Sequence, residues 1–205
     1  MKWNILFFLV ILLTASWAEV GDLISSVQKN YQSHATFQAE FVQSTAIELL
    51  NKNVEERGTL TFTKPGKFLI HYRGVQERQY ICDGHTLWIY HPKIKEGEIY
   101  PHVSDMVSHE ALSFLGGLGN MTKEFQVKAE PDFWISLVPR NKKSPLKKIR
   151  LKINPTSFWA TEVVLLPRQG NESHYRFSKI NTATDREVDI FSFRPPPGAQ
   201  MTTFD

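Results

Sequence analysis

Ala35-Thr36-Phe37-Gln38-Ala39-Glu40-Phe41-Val42 decides the fold class. Ala35, Phe37, Ala39 and Phe41 point one way, and Thr36, Gln38, Glu40 and Val42 point the other. That alternation belongs to a strand with one buried face. Just upstream the period is helical: Asp22 can cap a helix, and Leu23, Ile24, Val27 and Tyr31 form one apolar stripe that runs to about Ser33.

Downstream, strand follows strand. Leu60 and Phe62 alternate with Thr59, Thr61 and Thr63, and Lys64-Pro65-Gly66-Lys67 makes a turn into Phe68, Ile70 and Tyr72. Tyr80-Ile81-Cys82 faces Thr86–Tyr90 across Asp83-Gly84, a pair suited to a hairpin turn with positive φ. Further strands are predicted at Phe125–Val127, Phe133–Leu137, Ile149–Ile153, Phe158–Leu166, His174–Ile180 and Val188–Phe193. Between Ser104 and Asn120 the period returns to helical, with Val107, Ala111, Phe114, Leu115 and Leu118 on one face and Gly116-Gly117 or Gly119 as a stop. The prediction is a mainly β, α+β chain: a helix, about five strands, a helical insert, and about six more strands. Gaps between strands are short, so the sheet is expected to be antiparallel. No linker or fixed-period repeat divides it, so one domain is expected.

The chain of 205 residues is 41% hydrophobic and 12% aromatic, too apolar for a disordered chain. Its start reads as an address. Lys2 precedes nine apolar residues from Ile5 to Leu13, and Ser16 and Ala18 place small side chains before Glu19. This is the build of a cleavable signal peptide over residues 1–18, with the domain at 19–205. As a membrane anchor the apolar run falls well short of the roughly 20 residues a bilayer needs. Export is the expectation, which disfavours nucleic acid as a partner. Removing one lysine from 24 basic residues against 21 acidic leaves a mature net charge of +2.

Signs of chemistry are few. Cys82 is the only cysteine, which excludes an internal disulfide framework and a multi-cysteine metal site. There is no Gly-x-Ser-x-Gly elbow and no phosphate loop, and His109-Glu110 lacks the second histidine of a zinc-protease helix. His85 and His91 share a strand face, which leaves a two-histidine site beside the reading as exposed hairpin residues. The basic run from Arg140 to Lys152 reads either as a solvated strand face or as a docking surface for an anionic partner. Neither a catalytic residue nor a metal or cofactor is predicted, so the chain is not expected to be an enzyme.

Four stretches occur in order: Phe37-Gln-Ala39-Glu-Phe41-Val-Gln43; Gly58-Thr-Leu-Thr-Phe62-Thr-Lys64-Pro65-Gly-Lys-Phe68; Asp83-Gly84-His-Thr-Leu87-Trp88-Ile-Tyr90-His-Pro92; and Phe191-Ser-Phe193-Arg-Pro195-Pro196-Pro-Gly198. With a non-lipoprotein signal peptide, the ordered set resembles the LolA family of periplasmic outer-membrane lipoprotein carriers. The resemblance implies a strongly curved antiparallel sheet, an incomplete β-barrel closed over by a helical lid. It further implies a cavity that shields the acyl chains of lipoproteins. Such a carrier takes them from a lipoprotein-releasing ABC transporter in the inner membrane and passes them to an outer-membrane lipoprotein receptor. It works as a monomer, with no cofactor.

On that reading Phe37, Phe41, Phe62, Phe68, Ile70, Tyr72, Trp88 and Tyr90 either line the cavity or pack as core, and Val107, Ala111, Phe114, Leu115 and Leu118 form the lid. Lys64 stands where the family has an arginine that latches the lid, so one ammonium replaces a five-donor fork. It reads equally as a solvated turn lysine. Ile70 replaces a family aromatic. The alternative function is a periplasmic lipid- or lipoprotein-sensing module that docks to a membrane regulator.

Overall fold

The structure is a computed structural model that describes residues 11–47, 51–103, 121–182 and 188–204, with side chains from Asp22 onward except at 188 and 189. Helix α1 spans Ile11–Ser33. It starts ahead of the expected cap at Asp22, because Leu12, Leu13, Ala15 and Ala18 are good helix formers and no proline interrupts them.

The strands are β1 (Thr36–Ile47), β2 (Lys52–Thr63), β3 (Lys67–Arg73), β4 (Arg78–Asp83), β5 (Leu87–His91) and β6 (Glu96–Tyr100), then β7 (Phe125–Glu130), β8 (Trp134–Pro139), β9 (Leu146–Ile153), β10 (Ala160–Pro167), β11 (Ser173–Asn181) and β12 (Gln200–Thr203). Among the described residues they form one 12-stranded sheet, ordered β12-β6-β5-β4-β3-β2-β1-β11-β10-β9-β8-β7. The edge strands β12 and β7 do not meet, so the sheet is curved and open rather than a closed barrel.

Register sorts the side chains into rows. On one face, here the inner face, Phe37, Phe62, Phe68, Cys82 and Leu87 follow one another from β1 to β5. Ala39, Leu60, Ile70, Tyr80 and Ile89 form the next row, and Phe41, Gly58, Tyr72 and Arg78 the third. The α1 stripe of Leu23, Ile24, Val27 and Tyr31 packs on the other half of the inner face, against Met121, Phe125, Ile135, Leu137, Leu151 and Val163.

Three expectations are corrected. Val188–Phe193 is not a strand: Val188–Phe191 is a 3-10 turn, laid against β3 and β4, with Phe193 beside Trp88 and Tyr90 on the outer face. The sheet is not wholly antiparallel, since β12 pairs with β6 in parallel. Strands β6 and β12 were missed because Glu96-Gly-Glu-Ile-Tyr100 and Gln200-Met-Thr-Thr203 are too short and polar to alternate clearly. The segment predicted as the helical lid, 104–120, lies outside the described residues.

Candidate functional site

Between the first-half strands β1–β3 and the second-half strands β9–β11, the inner face holds a cavity of about 230 Å³, lined by Phe41, Leu60, Ile70, Tyr72, Leu146, Ile149, Val163, Leu165, Tyr175 and Phe177. Only two of these side chains, Tyr72 and Tyr175, carry a polar atom. The pairing of β1 with β11 creates it, by bringing Phe41 opposite Phe177 and Gln43 opposite Tyr175. A second hollow of about 40 Å³ lies toward the end of α1 and shares Leu60, Val163 and Phe177 as walls. A larger depression of about 710 Å³ runs past Glu40, Glu55, Glu56, Arg57 and Arg73. Those charges interrupt a wall that also holds Val42, Val54 and Val75; the 230 Å³ cavity is free of charged side chains.

At the end of the cavity nearest the β1–β2 hairpin tip the walls turn polar. The Tyr72 hydroxyl donates to Gln43 Oε1 at 2.7 Å, while Gln43 Nε2 donates to Thr45 Oγ1 at 2.9 Å and to Ser173 Oγ at 3.4 Å. The Arg78 guanidinium lies 3.8 Å from the centre of the Tyr72 ring and is held by both carboxylate oxygens of Glu56, at 2.5 and 2.9 Å. Burial pushes the Tyr72 and Tyr175 hydroxyls above the usual tyrosine range. The hydrogen bonds to Glu56 raise Arg78 further still, so its charge is fixed.

At the other end, the last turn of α1 is tied down. Lys64 Nζ donates to the carbonyls of Tyr31 at 2.5 Å and Gln32 at 3.2 Å. A cation on the open carbonyls of a helix end satisfies both the hydrogen-bond deficit and the helix dipole. Tyr31 stacks edge-on with Trp159 at 4.6 Å, and its hydroxyl accepts the Ala160 N–H at 3.2 Å.

Burial raises the Tyr31 hydroxyl to about 12. A proton held more tightly in the folded state stabilises it fully below the unfolded tyrosine value near 10, and that stability is lost as pH rises through 12. Tyr31→Phe should therefore flatten the fall in unfolding free energy, read from urea titrations between pH 10 and 12, by about 3 kcal/mol. Tyr72 and Tyr175 sustain the remainder of the fall. An unchanged slope would show the Tyr31 hydroxyl to be open to water.

The sequence-predicted residues divide. Phe41, Ile70 and Tyr72 line the cavity and Phe37 the smaller hollow. Phe62 and Phe68 are core, 1% and 2% exposed, packed with Cys82 and Leu87. Trp88 and Tyr90 are not cavity residues: they pair with Ile81 and Gln79, one residue out of phase with the inner row, and face Phe193 outside. Val107, Ala111, Phe114, Leu115 and Leu118 lie outside the described residues. Missed by sequence reasoning are Leu60 and the second-half walls Leu146, Ile149, Val163, Leu165, Tyr175 and Phe177, although their strands were legible.

Of the basic run, Lys148 and Arg150 pair with Glu130, each at 2.9 Å, and Arg150 stacks on Trp134. Among the described residues there is no group of three or more potential metal ligands, and no helix is long and apolar enough to cross a membrane.

A family model described as "Outer membrane lipoprotein carrier protein LolA" matches residues 32–194. An outer-membrane lipoprotein carrier protein of Methylibium petroleiphilum is 25% identical over 198 residues, covering 95% of this chain and 96% of its own. One from Dechloromonas aromatica is 26% identical over 170 residues, covering 81% and 80%. Among solved structures, an uncharacterized conserved protein from Thermus thermophilus superposes with TM-score 0.55 at 14% identity, covering 90% of this chain and 98% of that one. A DUF1329 family protein from Desulfovibrio piger gives 0.50 at 11%, covering 83% and 95%. These two likenesses concern the fold alone.

Proposed function

The chain belongs to the LolA family of outer-membrane lipoprotein carrier proteins, and from that premise we propose that it is a periplasmic chaperone for lipoproteins in transit to the outer membrane. Residues 1–18 act as a cleaved signal peptide and 19–205 as the carrier. An inner-membrane ABC transporter supplies the acylated lipoprotein, and an outer-membrane receptor takes it.

The observation that carries this reading is the 230 Å³ cavity, whose walls are carbon apart from two tyrosine hydroxyls. Each buried methylene contributes about 0.8 kcal/mol. Roughly six of them give about 5 kcal/mol, which by itself corresponds to a submillimolar dissociation constant. Burial of that size holds an acyl chain yet lets it leave, as stoichiometric carriage requires.

Spheroplasts with radiolabelled lipoproteins in the inner membrane provide the test. Added chain 19–205 should draw label into the soluble fraction as a one-to-one complex. No release, with the protein folded and a compatible transporter present, would overturn the reading. We assign Lys64 the latch between α1 and the β2–β3 turn. In the same assay Lys64→Leu should slow delivery to receptor more than uptake, and equal rates would reduce Lys64 to a structural cap.

A further inference from the structure

We propose that the polar end of the cavity, at Gln43, Tyr72 and Tyr175, seats the uncharged ester or amide head of an acyl ligand, and that the Glu56–Arg78 pair sets its preference over free fatty acids. The inference rests on the acyl-binding reading above and adds the direction and head-group class of the ligand.

Direction follows from the distribution of polar atoms. The cavity is apolar along Leu60, Ile70, Val163, Leu165 and Phe177 and meets hydroxyl and amide groups only at Tyr72, Tyr175 and, behind them, Gln43. An amphiphile buries its tail against the first set and leaves its head at the second, since a polar group buried without a partner is costly.

Head-group class follows from charge. Gln43 stands opposite Glu56 across β1–β2, and Tyr72 opposite Arg78 across β3–β4, all on the inner face. Arg78 lies over the Tyr72 ring, yet its fork is engaged by both oxygens of Glu56, and the two side chains are only 17% and 22% exposed. A paired, largely buried cation offers no net charge to an incoming carboxylate, which would therefore give up its hydration without a counter-charge. The groups around Tyr72 that remain are neutral hydroxyls and an amide, which exchange hydrogen bonds with a carbonyl oxygen at little cost. The pair thus acts as a filter against anions behind the polar end of an apolar site.

The filter can be inverted from either side. Glu56→Gln keeps the shape and frees Arg78 to meet a carboxylate; Arg78→Gln leaves Glu56 uncompensated. Binding of decanoate and of its methyl ester, measured by calorimetry at pH 8, reads out the preference. Wild type should favour the ester by tenfold or more. Glu56→Gln should lower that ratio at least tenfold, and Arg78→Gln should raise it. Because the two shifts are opposite in sign, either variant decides the matter if the other does not fold. Ratios within threefold of wild type, with both ligands still binding, would overturn the filter and leave acyl binding intact. Binding of neither ligand to the wild-type protein would overturn the acyl-binding reading itself, and the filter with it.

Discussion

Val163→Phe should abolish acyl binding without unfolding the protein. Val163 is 3% exposed and walls both the 230 Å³ cavity and the 40 Å³ hollow beneath α1. A phenyl ring there has vacant space to enter, so the 1–3 kcal/mol cost of overpacking a filled core does not apply. It takes the room of roughly four methylenes, worth about 0.8 kcal/mol each, and so about 3 kcal/mol or a hundredfold in affinity for an acyl ester. The melting temperature should stay within about 4 °C of wild type, which is roughly 1 kcal/mol for a chain of this size. Calorimetry with methyl decanoate and a thermal melt settle both halves. Undiminished binding in a folded variant would place the acyl chain somewhere other than this cavity.

The prediction concerns a wall that the sequence left unassigned, and the reason is physical. Period-two alternation made Phe37, Phe41, Phe62, Phe68, Ile70 and Tyr72 legible as one face, because hairpin neighbours keep register across short turns. The strands carrying Ile149, Val163, Tyr175 and Phe177 were equally legible, but their meeting with β1 was not. Strand β1 pairs with β11 across more than a hundred residues, and no local signal announces so distant a partner. Trp88 and Tyr90 failed for the opposite reason. Within β5, Leu87, Ile89 and His91 share one phase and Trp88 and Tyr90 the other, and aromatic character does not say which phase faces inward. Phe193, arriving from the chain's C-terminal part, gives the outer phase its own apolar cover. For Lys64 the resemblance implied a latch on the lid and the sequence equally a solvated turn lysine; its ammonium bonds the carbonyls of Tyr31 and Gln32 at the end of α1. The Glu56–Arg78 pair had no sequence signal, since its partners lie on strands separated by another.

Gly58→Val should bring the largest loss of stability of any single change considered. A Cβ on Gly58 would sit 2.3 Å from the His71 carbonyl oxygen and 2.6 and 2.8 Å from two carbons of the Phe41 ring. The first neighbour is backbone, fixed by the β2–β3 ladder in which Thr59 pairs with His71 and Gly58 with Tyr72. The second is a ring 3% exposed, wedged between Tyr72 at 5.1 Å and Tyr175 at 5.9 Å. The carbonyl cannot retreat, so a strand glycine that elsewhere merely weakens pairing marks here a close approach of ring to backbone. Overpacking costs about 1–3 kcal/mol where side chains can shift; with a ladder carbonyl in the way, about 3 kcal/mol or more is expected. For a chain of this size that lowers the melting temperature by roughly 6–12 °C. Gly58→Ala already carries the Cβ and should lose much of the same stability. Phe41→Leu in that background should cost less than the two single losses added together, because the clash with the ring is shared between them. Urea midpoints for the two singles and the double close this cycle. Strict additivity would mean that Phe41 does not rest on Gly58. In that case the seat of the Phe41 ring on Gly58 would lose its physical basis, and the cavity that the ring lines would need another explanation.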